Sequence, residues 1–549
     1  MEILFIVMGA SFAIIVGCLY NAYSKKNRVY ELLLERFGTK PEYKEYDFDK
    51  IKLYWSGREN EKCQSGIDNI TWNDLNMDKV FARINMCCSS IGEQYLYKSL
   101  RNISFEDCKM ESLEEKIIYM DKNQDDRIKI QKKLLCIGKN VNNYYIPLFL
   151  RNLNSYKLNN IWFYYIFQAM LFIAIGLSII LQHMYAYTFL GVIFLININM
   201  YALMKNKYEI NMDLIVAIQS ILQASRDFAK KEEKSVFGII KENLEVIKKL
   251  SKSMSLINGR HQRKYTADFM EMCALYITGA FLFDFVLYNR ILTKLNNSLI
   301  VIFSLFDLIG ELDMAISIAS FRKSLSFYCL PEFCMNNRIS YSAIYNPLVD
   351  KPVCNDFGLN NNCIITGSNA SGKSTFIKAI AINEILAMSI HTCTAKRAII
   401  SKAEIYTSMA IRDDLLAGES YFVKEIKSLH RIIKVIDQGR FSIAIIDEIL
   451  RGTNTKERIS ASAAILKYLE NKNCIVVVAS HDIELINLLK SNRYDNYYFC
   501  EKADKEDVTF DYKIHRGICE QSNAIKLLEF FGFPRDIVKK ANKYSDVCL

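Results

Sequence analysis

Residues 363–375 read CIITGSNASGKST, and no other stretch of this chain restricts its fold so tightly. A short apolar run, Cys363–Ile365, ends at a glycine-rich turn and opens into helical text, FIKAIAINEIL. Gly367 and the Gly372-Lys373-Ser374 group stand at the spacing of a complete Walker A loop, in the strand–loop–helix context that this motif requires. The glycines let backbone N–H groups turn inward around phosphate oxygens, and the helix N-terminus adds partial positive charge. The expected nucleotide-binding residues are therefore Gly367, Ser368, Asn369, Ala370, Ser371, Gly372, Lys373, Ser374 and Thr375. Lys373 supplies a point charge to the β- and γ-phosphates, and the Ser374 hydroxyl is an expected Mg2+ ligand.

Residues 441–449, FSIAIIDEI, have the composition of a buried parallel strand and end in Asp447-Glu448. Carboxylates at the C-terminal end of such a strand stand where an α/β sheet holds its ligand. Asp447 is the expected second Mg2+ ligand; Glu448 is expected to orient or deprotonate the attacking water. An apolar run followed by Asp-Glu is common, and its position after the Walker A loop gives it weight. A third strand, Cys474–Ala479, leads into Ser480-His481-Asp482, where His481 can reach the γ-phosphate region. The plainer reading of that tripeptide is a helix cap built on Ser480 or Asp482. The expected catalytic residues are Glu448, His481 and Lys373, and the cofactors are ATP and Mg2+.

Three runs carry no charge. Ile3–Ser24 is long enough as a helix to cross about 30 Å of hydrocarbon, with Lys25, Lys26 and Arg28 directly after it. Ile161–Leu181 and Tyr185–Met204 flank a tight turn and have Arg151, Lys157, Lys205 and Lys207 outside them. A signal peptide carries its positive charge ahead of the apolar run, which is not the order here. Positive flanks on the cytoplasmic side predict three spans, with the N-terminus outside and the C-terminal half in the cytoplasm of a cell-membrane protein. The alternative is that these runs are buried core helices. A fourth run, Met272–Leu292, contains Asp284 and Arg290 and reads as a buried cytoplasmic helix.

Composition narrows the rest. Six prolines in 549 residues favour long helices over an all-β or linker-rich chain. Sixteen cysteines include only one close pair, Cys87-Cys88, too few ligands for a metal cage, so the thiols read as small apolar residues in a reducing compartment. A net charge of +10 does not by itself establish nucleic-acid binding.

Taken in order, these motifs resemble the MutS family of DNA mismatch-repair ATPases. NPLV (Asn346–Val349), then CND (Cys354–Asp356) and IITGSNASGKST, look like its lead-in and phosphate loop, and IAIIDEILRGTNT (Ile443–Thr455) like its Walker B segment. VVVASHDIEL (Val476–Leu485) looks like its switch-histidine strand. AEIYTSMAIRDDLLAGESYFVKEI (Ala403–Ile426) looks like its signature segment, with Gly418 and Ser420 as trans residues and Asp413 and Asp414 in register. Tyr512–Ala541 resembles its dimerisation tail; Asp74–Asn102 and Gly310–Phe333 resemble parts of its helical core.

The resemblance implies an α/β P-loop NTPase (ABC-type ATPase) domain at the C-terminus, preceded by an all-α core that a transmembrane hairpin interrupts. The expected division is an N-terminal span (1–24), a linker (25–66), the first part of the core (67–160) and the hairpin (161–204). Basic helical arms (205–264), the second part of the core (265–345) and the ATPase domain with its tail (346–549) follow. It also implies a homodimer in which one subunit's phosphate loop, Walker B strand and His481 face Ser420 of the other.

Three departures stand out. The stretch between the first span and the core, about 50 residues, is too short for a mismatch-reading domain of about 100, so direct mismatch reading is not expected. Residues 205–264 carry 13 Lys/Arg against 7 Asp/Glu, a surface for DNA phosphates or anionic lipid, or else an ordinary solvated face of core helices. Asn346 stands where the family usually has histidine. The expected activity is ATP hydrolysis by a membrane-anchored dimer acting on DNA. The alternative is a membrane ATPase that moves its spans or a protein partner and has no DNA role.

Overall fold

The computed structural model describes residues 21, 24, 27–42, 44–57, 66–230, 234–261, 279–367, 371–409, 421–489, 493–503, 508–518 and 532–547. The expected N-terminal span lies outside the described residues except for Asn21 and Ser24.

Local signals start the helical half. Asp68 caps α1 (Asn69–Asp74) by accepting the Thr71 N–H at 2.8 Å. Helix α2 (Met77–Ile84) buries Met77, Val80, Phe81 and Ile84, the stripe of an amphipathic helix. Ser89 caps α3 (Ser90–Arg101) by accepting the Gly92 N–H at 3.1 Å. Helix α4 (Asp107–Lys122) follows.

Next come α5 (Ile161–Leu181) and α6 (Met184–Phe228). Ile161–Leu181 and Met184–Met204 are long and apolar enough to cross a membrane by length and composition. Only 22% and 11% of their most apolar windows are buried, whereas the core helix of a soluble protein is mostly buried. Ser178 donates to the Ala186 carbonyl at 3.1 Å across the hairpin, and Asn197 Nδ2 donates to the Ala280 carbonyl at 2.7 Å. Ala280 is thereby seated against Leu171 and Ile193. Helix α6 continues unbroken for 45 residues, about 68 Å at 1.5 Å per residue. Its second half buries Leu214, Ile215, Ile218, Ile221 and Leu222.

The described parts of 205–264 pack apolar faces into the core. Helices α7 (Lys234–Glu242) and α8 (Leu244–His261) bury Val236, Phe237, Ile240, Ile247, Leu250 and Met254 in the same core as α6. On their outer face Lys248, Lys249 and Lys252 are exposed. Apolar burial overrides charge count here, because each buried aliphatic side chain is worth roughly 1.5–3 kcal/mol.

Helix α9 (Phe283–Asn296) buries Phe285, Tyr288, Ile291 and Leu292, and its Asp284 accepts from the Tyr201 hydroxyl at 3.1 Å. Helix α10 (Leu299–Lys323) then crosses α3 at close range. A Cβ at Gly92 would stand 2.3 Å from Asp313 Oδ2, and one at Gly310 would stand 2.7 Å from Tyr95 Cβ. Asp313 is fully buried and accepts from the Cys88 N–H and from the Ser89 N–H and hydroxyl. Burial pushes its carboxyl up to about 6 against those bonds. The two core-like stretches upstream of the phosphate loop are thus packed on each other.

The C-terminal half holds two sheets. In the first, β1 (Pro331–Cys334), β5 (Arg397–Ser401), β2 (Ile339–Ile344) and β3 (Asn355–Leu359) lie side by side in that order. The second has β4 (Asn362–Thr366), β6 (Glu404–Ser408), β7 (Ser442–Asp447), β8 (Cys474–Ala479), β9 (Tyr494–Ala503) and β10 (Val508–Arg516). Its order is β10-β9-β4-β8-β7-β6, parallel except for the β9/β10 edge. The helices are α11 (Lys373–Ile390), α12 (Tyr421–Ile436), α13 (Thr455–Leu469), α14 (Ile483–Leu488) and α15 (Arg535–Val547). The first residues of the expected tail, from Tyr512, lie inside this sheet. Tyr512–Arg516 belong to β10, whose backbone groups pair with β9, and Asn355 donates to the Tyr512 carbonyl at 3.1 Å.

Candidate functional site

Strand register brings the three motifs to one edge. Ile365 of β4 lies opposite Ala479 of β8, which lies opposite Asp447 of β7. The residues that follow those strand ends are therefore neighbours: Gly367, Ser480-His481 and Glu448. The Ser480 N–H donates to the Ile365 carbonyl at 3.0 Å and the Glu448 N–H to the Ala479 carbonyl at 2.9 Å, which extends the ladder into the site.

The phosphate loop needs its glycines. Gly367 has φ +136°, and a Cβ there would stand 2.7 Å from the Phe499 carbonyl oxygen. Gly372 has φ +97°, and its Cβ would stand 3.0 Å from the Tyr512 ring. Ser371 and Lys373 are buried, and Lys373 Nζ donates to the Gly367 carbonyl, so the lysine tip lies within the cradle. Ser374 and Thr375 open α11. Ser368, Asn369 and Ala370, like Gly418 and Ser420 and the Asp413-Asp414 pair, lie outside the described residues.

Glu448 is the centre of the acidic edge. Its backbone takes φ +59°, a left-handed conformation that a non-glycine residue holds only where its surroundings enforce it. His481 Nε2 lies 2.8 Å from Oε1, and Arg451 Nε lies 3.1 Å from Oε2. The hydrogen bond from His481 holds this carboxyl below its usual range against its own burial, and the charges of Arg451, His481 and Lys373 help. Asp447 ends β7 beside it, half-buried. A hydroxyl on Ser374 and a carboxylate on Asp447 are the hard oxygen donors that Mg2+ takes, and the glycine cradle is one that a single Cβ would fill.

Several supporting residues carry no signal in short windows of sequence. Glu425 of α12 accepts the Arg451 N–H at 3.0 Å, and its carboxyl is raised by burial. Arg458 of α13 grips Asp482 with Nε and Nη2 at 3.0 and 2.7 Å, which ties the loop after Glu448 to the loop that carries His481. Ser480 accepts the Asp482 N–H at 3.0 Å, and Asp482 heads α14 without a side-chain cap bond. Asn346 Nδ2 donates to the Thr375 carbonyl at 3.4 Å, which places the lead-in against the first turn of α11.

Two polar joints fasten this domain to the helical half. At the far end of α11, Arg322 forks onto Glu114 with both bonds at 2.7 Å, and His391 Nδ1 lies 3.1 Å from the same carboxylate. Burial raises the Glu114 carboxyl, but the guanidinium and imidazole outweigh it and bring it down to about 2. At the β6 edge, Asp74 accepts the Thr407 hydroxyl at 2.7 Å and the Met409 N–H at 3.1 Å, and Arg431 donates to Asp68 at 2.6 Å.

Residues 363–547 match the family model for MutS domain V. The chain is 30% identical over 273 residues to the DNA mismatch repair protein MutS of Pseudothermotoga lettingae, a match covering 48% of this chain and 33% of that protein. It is 28% identical over 300 residues to MutS protein homolog 4 of Homo sapiens, covering 51% and 32%. It is 31% identical over 252 residues to MutS of Clostridium kluyveri, covering 43% and 28%. The chain spans about a third of the length of the curated relatives that it matches. The C-terminal region is thus a MutS domain V, a P-loop ATPase domain, preceded by a helical region, and these similarities support the MutS family.

Proposed function

We propose that this chain is a membrane-anchored MutS-type ATPase that closes on ATP as a homodimer and acts on DNA. The observation that carries the ATPase part is the single row formed by the glycine cradle, Asp447-Glu448 and His481 at the C-terminal edge of the second sheet. Gly367, Gly372 and Lys373 bind the phosphates. Ser374 and Asp447 would hold Mg2+, which supplies charge neutralisation between the β- and γ-phosphates when bound. Glu448, ionised and oriented by His481 and Arg451, positions the water and takes its proton. The family resemblance supports Ser420 and Gly418 as the residues that complete the site from the second copy.

The exposed apolar hairpin supports the anchor, in a cell membrane with the ATPase domain on the cytoplasmic side. The DNA part rests on relatives named for DNA mismatch repair and on the exposed Lys248, Lys249 and Lys252 face of α8. The test is the ATPase rate of the detergent-solubilised full-length protein with and without duplex, mismatched and branched DNA. Salt-sensitive stimulation by DNA is expected.

One observation favours a second reading, in which the ATPase drives the membrane segment and not DNA. Helix α6 is continuous from the exposed apolar hairpin into the buried core, a rigid path between them. An ATPase rate indifferent to every DNA, but changed by reconstitution into vesicles, selects this reading.

A further inference from the structure

Cys329 and Cys393 face each other at the joint between the helical half and the ATPase domain. Cys329 lies between α10 and β1; Cys393 lies just past the end of α11. They form an isolated antiparallel bridge in which each residue's N–H bonds the other's carbonyl, at 3.0 and 2.9 Å. In such a pair the Cα atoms stand about 5.5 Å apart and both side chains leave on the same face. That separation falls within the roughly 4.4–6.8 Å that a disulfide spans.

The two thiols are unlike each other. Cys329 is half-buried and reachable, while Cys393 is fully buried. The neighbouring Cys393 side chain lowers the Cys329 thiol, and burial raises the Cys393 thiol, which donates to the Asn383 carbonyl at 4.0 Å, well above its usual range. Glu332 near Cys329 opposes the first effect, and Arg322 near Cys393 opposes the second. Thiolate character and access together select the sulfur that an oxidant attacks first.

We propose that Cys329 and Cys393 are a redox modification site, closed to a disulfide by a hydroperoxide and reopened by a thiol reductant. The Cys329 sulfur attacks the peroxide oxygen; the O–O bond breaks and Cys329 becomes a sulfenic acid, with water leaving when hydrogen peroxide is the oxidant. The Cys393 sulfur then attacks the Cys329 sulfur; the S–O bond breaks, the S–S bond forms and a second water leaves with the Cys393 proton. Two thiols and one hydrogen peroxide give one disulfide and two waters. The product staples the exit of α10 to the exit of α11, beside the Arg322–Glu114–His391 joint.

The test treats the folded full-length protein with hydrogen peroxide and then denatures it for peptide mass mapping, with iodoacetamide added before and after dithiothreitol. The expected result is a crosslinked Cys329–Cys393 peptide pair and loss of alkylation at both, restored by the reductant. In Cys393→Ser, Cys329 should be trapped by dimedone as a sulfenic acid; in Cys329→Ser, Cys393 should remain unmodified. Alkylation of both thiols after oxidation overturns the proposal. So does Cys329 paired with another cysteine, such as the exposed Cys108 or Cys136. The wild-type map decides the matter even where a serine variant does not fold.

Discussion

His481 Nε2 lies 2.8 Å from Glu448 Oε1, so the residues that end two neighbouring parallel strands act on one carboxylate. A catalytic carboxylate fixed in this way is held charged and aimed. Because the His481 hydrogen bond is the largest influence on it, the proton affinity of Glu448 depends on that imidazole.

Removing the imidazole is expected to move the pH profile. In the wild type, the His481 hydrogen bond holds the Glu448 carboxyl below its usual range, so the acid limb of kcat is displaced downward. His481→Ala should shift the acid limb upward and lower kcat by roughly 10²–10⁴, with ATP affinity little changed. Steady-state rates across pH, with nucleotide binding measured separately, check this.

Gly372→Ala places a Cβ at φ +97°, 3.0 Å from the Tyr512 ring. The ring or the loop has to give, and the left-handed backbone adds strain of order 1–3 kcal/mol. Nucleotide affinity should fall sharply while the melting temperature falls only modestly. Titration with a fluorescent ATP analogue and a thermal scan distinguish the two effects.

The Glu114 joint predicts a loss of stability in acid. Its carboxyl protonates at about 2 when folded and near 4.5 when unfolded. Its contribution, about 3 kcal/mol, is therefore complete above pH 4.5 and is lost as the pH falls through 2. Glu114→Gln should lower stability at neutral pH and flatten that acid limb. Urea unfolding at several pH values reads both.

Glu384 in α11 predicts the opposite slope. It is fully buried, accepts the Tyr341 hydroxyl at 2.9 Å, and burial pushes its carboxyl up to about 8. The folded chain keeps this proton up to about 8, whereas the unfolded chain releases it near 4.5. Between those values the native state binds more protons, so stability falls as pH rises. Glu384→Gln should remove that slope, as measured by melting temperature from pH 5 to 9.

The phosphate loop, the Asp447-Glu448 strand end and His481 were legible because their chemistry confines residue types to short windows, and the strand–loop–helix reading carried the sheet with it. Arg451, Glu425 and the Arg458–Asp482 pair were not, since each acts through a contact that only the assembled sheet and helices create. Charge counting leaves residues 205–264 open between a phosphate-binding surface and a solvated face of core helices. The Val236, Phe237, Ile240 and Ile247, Leu250, Met254 stripes pack α7 and α8 on the core, with Lys248, Lys249 and Lys252 exposed. The edge strand over Val508–Arg516 carries no short-window signal of its own, since its pairing with β9 exists only in the assembled sheet.

Glu448→Ala in the solubilised full-length protein tests the central claim most directly. ATP should bind with affinity close to that of wild type, and phosphate release should fall by at least about 10². Unchanged phosphate release in that variant would contradict the account and remove this strand edge from the chemistry.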